Sequence, residues 1–178
     1  MAIYKTYIQQ LSFDGLTYTK GRVVDLLDEY NIACSEFPFV KNPEPKDLPT
    51  VDWAGSDGLD VYVPVGAPLP VKHYELDAVF LYKGTEATMH GDIKGFIDFL
   101  YGRNDGSVGA RLAIYNEHKK MGRKDVVVTK VDTDTYYDED WDEDTMAGFK
   151  IKFTVYDPVT EVVPVFNASG EISELNFD

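Results

Sequence analysis

A single cysteine, Cys34, stands among 178 residues, so no intramolecular disulfide can form and a thiolate zinc site lacks its partner ligands. Apolar runs of about 18–20 residues are missing too, which leaves no candidate membrane-spanning helix. The opening stretch, MAIYKTYIQQLSFDG, interrupts its apolar residues with polar ones, reads as no signal peptide and predicts synthesis in the cytoplasm. Positive charge is scarce: 17 Lys and Arg face 31 Asp and Glu, for a formal charge of −14 and a pI near 4.5. Affinity for nucleic acid is largely phosphate neutralisation by Lys and Arg, so this balance argues against a sequence-reading DNA-binder and against docking on an anionic membrane. It remains compatible with a surface that DNA passes without sticking.

Catalytic signatures are also lacking. There is no G-x-S-x-G elbow, phosphate-binding glycine loop, dinucleotide-binding glycine pattern or H-E-x-x-H. His73, His90 and His118 fall in different expected elements, and Cys34 reads as a small buried thiol rather than a nucleophile. The sequence therefore assigns no catalytic residue, no cofactor, no metal and no small-molecule substrate. The alternative that stays open is a small carboxylate-dependent hydrolase or carbohydrate-processing enzyme, since two of the many acids could meet in the fold.

What is present is a core. Hydrophobic residues make up 44% of the chain and aromatics 13%, enough for one substantial domain over residues 1–178. In GRVVDLLDEY (21–30), Val23, Leu26, Leu27 and Tyr30 recur at helical spacing, predicting a short N-terminal helix. In GDIKGFIDFLYG (91–102), Ile93, Phe96, Ile97 and Leu100 do the same, with Asp92 as the expected cap and Gly102 as the stop. The other ordered segments are short and rich in Val, Ile, Tyr and Phe: 60–65, 74–82, 110–116, 124–131, 148–157 and 160–166. Within 148–157, Phe149, Ile151, Phe153 and Val155 alternate with Lys150, Lys152, Thr154 and Tyr156, the mark of a half-buried antiparallel strand. The expected fold is α+β: an antiparallel sandwich or barrel with one main amphipathic helix packed on it, a short N-terminal helix and a Pro-rich arm. Its segments are 1–34 with the first helix, the arm at 35–59, a β-rich core at 60–166 and a C-terminal tail at 167–178.

Three stretches are candidates for function. The arm holds four prolines and little periodicity, and Phe37, Phe39 and Trp53 are apolar anchors of the kind found at interface centres. For Trp53 a place in a satellite core beneath a loop is the equal alternative. A basic hairpin tip, EHKKMGRK, carries Lys119, Lys120, Arg123 and Lys124. The run DTDTYYDEDWDED (132–144) has eight carboxylates in thirteen residues: Asp132, Asp134, Asp138, Glu139, Asp140, Asp142, Glu143 and Asp144. A calcium loop of the EF-hand type fails here. Counted from Asp132, Tyr136 and Tyr137 occupy positions five and six, where an oxygen ligand and a glycine are needed. The run therefore reads as a solvated loop between two strands.

The order of these pieces over 52–165 resembles a known family. A turn at Asp57-Gly58 leads into DVYVP and then YELDAVFLYKG; a helix ending FIDFLYG follows, then RLAIYNEHKKMGRKDVVVTKVD and FKIKFTVYDPVTEV. This layout resembles the tail-tube-fold proteins of long-tailed bacteriophages and prophages, the distal tail protein and its tube relatives. The resemblance implies a β-sandwich flanked by one helix and a non-enzymatic structural subunit of the virion tail. It implies homo-oligomeric rings, hexameric in the family, through which DNA passes, with other tail proteins as further partners. On that reading the acidic run lines the lumen or an exposed ring face as a non-stick surface, the alternative being a loop that serves only solubility. The basic tip would pair with acidic groups of the next subunit or ring.

Overall fold

A computed structural model describes residues 4–34, 37–132, 136–138 and 145–178. Its centre is an antiparallel sheet that curls into a half-barrel. The longest strands are β6 (Tyr74–Gly84), β8 (Met121–Val131) and β10 (Thr145–Val155), joined by β1 (Thr6–Phe13), β2 (Tyr18–Asp25), β3 (Ile32–Ala33) and β7 (Arg111–Asn116). The order across the sheet is β2-β1-β7-β8-β10-β6-β3, with β9 (Tyr136–Asp138) beside the start of β10. Helix α1 (Leu26–Tyr30) follows β2, and α2 (Glu86–Leu100) follows β6. Two small ribbons complete the fold: β4 (Thr50–Val51) with β5 (Asp60–Val61), and β11 (Val163–Phe166) with β12 (Ile172–Asn176). The α+β expectation is met.

Strand β10 behaves as its alternation predicts. Phe149, Ile151, Phe153 and Val155 are buried on one face, and β10 pairs with β6 without a break from Thr145↔Gly84 to Val155↔Tyr74. Helix α2 lays Met89, Phe96, Phe99 and Leu100 onto that face. The Phe96 ring sits 5.3 Å from Phe80 and 6.3 Å from Phe149. The opposite face carries a smaller core of Leu11, Ala113, Val162, Leu175 and Phe177 under the β11–β12 ribbon. The sheet is thus sandwiched over part of its area.

Several boundaries differ from the sequence expectation. The helix expected at 21–30 survives only as α1; residues 21–25 belong to β2, where Val24 pairs with Ile8 and Val23 with Gln9. The β-branched valines gain a buried ladder partner, which outweighs a weak local helical period. Asp25 marks the change, its carboxylate accepting from the N–H groups of Leu27 (3.0 Å) and Asp28 (3.5 Å). The second helix begins about two turns earlier than Asp92, after Thr85, and Asp92 instead accepts from the Tyr82 hydroxyl at 3.1 Å. Gly102 does stop it, at φ +69. Of the expected 60–65 strand only residues 60–61 form a strand, β5, and the basic hairpin tip is short because β8 starts at Met121. The segments 1–34 and 167–178 contribute β1, β2, β3 and β12, none of them among the strands expected from the sequence.

Candidate functional site

Between β3 and β6 the chain leaves the sheet and returns, and the arm is a ribbon rather than a bare loop. Near its base Lys46 N–H donates to Pro70 O at 2.8 Å and Lys72 N–H to Glu44 O at 2.7 Å, around a bridge of Pro45 with Val71. Farther out Thr50 pairs with Val61 and Val51 with Asp60, and Tyr62 N–H donates to Pro49 O at 2.9 Å. The tip turns through Ser56 N–H to Trp53 O at 3.1 Å, with Gly55 and Gly58 at φ +95 and +80, where a side chain would be strained. The arm therefore reaches beyond its expected end at 59, to about residue 72.

This ribbon has apolar side chains, and nothing among the described residues covers them. Trp53 is 57% exposed, Leu59 60%, Tyr62 65% and Val65 97%, with Val51, Val61 and Val63 about half exposed. Trp53 is not a satellite core residue. Phe37 and Phe39 correct the expectation in the other direction. Their rings meet at a tilt 4.6 Å apart, Phe37 lies 5.4 Å from Phe153, and both are buried in the chain's own core, so neither can anchor a neighbour. Pro38 sits between them in a tight turn, with Phe39 N–H donating to Phe37 O at 2.8 Å, which brings the two rings together.

The charged candidates also separate. Lys119 and Lys120 sit at the β7–β8 turn, with Lys119 N–H donating to Asn116 Oδ1 at 3.0 Å. Arg123 is buried at 2% exposure and its Nε has no hydrogen-bond partner among the described residues, so it is no surface contact. Lys124 is turned inward: its Nζ lies 3.7 Å from Asp157 Oδ2 and over the rings of Tyr18 (4.6 Å) and Phe177 (5.0 Å). Adjacent strand residues point to opposite faces, and both faces of β8 are covered here, so both cations are spent inside the fold. Of the acidic run, Asp132 pairs its N–H with Lys150 O at 2.9 Å and lines a surface hollow with Asp77, Lys130, Lys150 and Lys152. Asp138 lies in β9, opposite Met146. Asp134, Glu139, Asp140, Asp142, Glu143 and Asp144 lie outside the described residues.

Among the described residues no group of three His, Cys, Asp or Glu is placed to hold a metal, and no helix is long and apolar enough to cross a membrane. His73 stacks on Tyr156 and His118 meets Tyr4 at a tilt, in different parts of the fold. Cys34 is buried, its carbonyl accepting from Thr6 Oγ1 at 3.4 Å.

One polar cluster was missed by the sequence reading. Asp125, at φ +53, accepts from the Tyr18 hydroxyl at 2.7 Å and from Arg111 Nη1 at 3.0 Å. Its position in KDVVV shows only a polar residue before a strand. Burial, followed by the bond to Asp125, pushes the Tyr18 phenol up to about 12. A phenol held above its ordinary value of 10.0 adds stability that is fully present below that value and is lost as pH rises toward about 12. Urea midpoints measured across that interval are expected to fall, and to fall less steeply in Tyr18→Phe. An unchanged slope in the variant would place the alkaline loss elsewhere.

The arrangement is that of an antiparallel β fold with one main helix, carrying an uncovered apolar ribbon and no converged reactive groups among the described residues. No protein-family model and no curated protein matches the sequence. Among solved structures the fold is similar to the Dit protein of phage SPP1, described as a paradigm of the hub adsorption apparatus in phages infecting Gram-positive hosts. The likeness has a TM-score of 0.48 and 15% sequence identity, over 89% of this chain and 52% of that one. The chain thus spans about half the length of that protein.

Proposed function

We propose that this chain is a structural, non-enzymatic subunit of a bacteriophage or prophage tail, assembling with copies of itself into a ring through which DNA passes. The observation that carries the reading is the arm: an ordered ribbon with Trp53, Leu59, Tyr62 and Val65 in solvent is stable in assembly rather than alone. The element order that resembles tail-tube-fold proteins supplies the kind of assembly. The formal charge of −14 suits a DNA conduit, because like charge removes the counterion release that would hold the strand. Such a subunit resides in the virion, and its partners are its own copies and other tail proteins.

Light scattering of the purified chain over a concentration series, with electron microscopy of the largest species, tests this. Rings are expected. Trp53→Ala is expected to raise the concentration needed for assembly by about tenfold or more, with circular dichroism and thermal unfolding of the subunit unchanged. A variant that assembles like the parent while losing thermal stability would return Trp53 to a folding role. A subunit that stays monomeric at every concentration, and in the presence of other tail proteins, would defeat the ring.

A further inference from the structure

The arm has an edge as well as a face. Tyr62 N–H is spent on Pro49 inside the ribbon. In an extended strand the backbone groups of alternate residues point to the same side. Asp60 and Tyr62 therefore turn toward the outgoing limb, and Val61 and Val63 turn their N–H and C=O groups away from it. Pro64 falls on the Tyr62 side, so its missing N–H leaves no gap in the outward row. A β-branched, half-exposed strand with one satisfied side and one open side is a template for strand addition.

The main sheet has a matching opening. Strand β2 ends it, and among the described residues no strand pairs with the outer side of β2. Charge favours the match. Residues 47–71 carry Asp47, Asp52, Asp57 and Asp60 with no Lys or Arg, whereas 18–24 carry Lys20 and Arg22 with no acid. Both cations hold carboxylates of their own chain, Lys20 with Glu174 and Arg22 with Glu29, and the Arg22 side chain stays 60% exposed.

We infer that the returning limb of the arm adds as a strand to the β2 edge of a second copy. This rests on the ring reading and names the surfaces that make the ring. The arm springs from the β3–β6 edge of the sheet, and β2 is the opposite edge. Each copy then donates at one edge and receives at the other. That contact is head-to-tail, the kind that generates a ring when its rotation closes.

The test uses the full chain and a proline placed on the open side. Val63→Pro removes one outward N–H and leaves Tyr62 paired, whereas Val63→Thr keeps the N–H and the β-branch. Val63→Pro is expected to shift the assembly midpoint by about tenfold or more, with Val63→Thr close to the parent. Hydrogen exchange is expected to slow in peptides covering 60–66 and 18–24 together on assembly, and in neither for Val63→Pro. Assembly of Val63→Pro at the parental midpoint, or unchanged exchange at 18–24 in parental rings, would overturn the strand addition and leave the ring standing. A parent chain that never assembles would overturn both.

Discussion

Phe80→Ala is expected to lower the unfolding free energy by about 3–5 kcal/mol, the range for removing a large aromatic from a close-packed core. Phe80 is fully buried at the middle of β6. Its ring lies 5.3 Å from Phe96 of α2, 5.6 Å from Phe149 and 6.3 Å from Phe153 of β10, and 6.4 Å from Phe37 at the root of the arm. Truncation therefore opens a cavity at the point where helix, central strands and arm root meet, and rings held by one another's edges collapse poorly into it. Urea unfolding followed by far-UV circular dichroism measures the loss. The neighbouring Val79 points to the other face and is 47% exposed, so Val79→Ala is expected to cost under about 0.5 kcal/mol. Near-equal losses for the two variants would mean that the aromatic cluster is not the centre of the fold.

Much of that centre was legible in the sequence, because one face of β10 and one face of α2 each meet a uniformly apolar neighbour. Legibility ends where a residue's partner comes from far along the chain. Gln9 and Gln10 look like solvent positions of an irregular N-terminus, yet both are buried in β1. Gln9 Nε2 donates to Gly21 O at 2.6 Å and its Oε1 accepts from Leu175 N at 3.2 Å; Gln10 Nε2 donates to Phe99 O at 2.6 Å. Amides satisfied on both sides of a sheet erase the apolar alternation by which a strand is recognised. The candidate site shows the same limit. Proline density predicts an arm that leaves the core, but composition does not say which of Phe37, Phe39 and Trp53 faces inward. That is decided by the distance of each from the sheet edge: the phenylalanines lie within a few residues of β3, and Trp53 is at the far tip.

Asp125→Ala is expected to cost about 2–4 kcal/mol, and to do so at one corner of the molecule. Three effects act together. The Tyr18 hydroxyl and Arg111 lose a carboxylate at 2.7 and 3.0 Å. Alanine has no short polar side chain to ease a backbone at φ +53. The bond to Asp125 also holds the Tyr18 ring, which meets Phe177 edge-on at 5.3 Å, while the amines of Lys20 and Lys124 lie over the Phe177 ring at 4.3 and 5.0 Å. Phe177 follows β12 directly, so a displaced Tyr18 loosens the C-terminal ribbon from the smaller core. Hydrogen exchange is expected to accelerate in peptides covering 163–177 and to stay unchanged in α2. Asp125→Asn, which accepts from Tyr18 and tolerates the same backbone region, is expected to recover roughly half of the loss. If exchange in α2 rose as much as in the ribbon, Asp125 would support the whole sheet rather than its C-terminal corner.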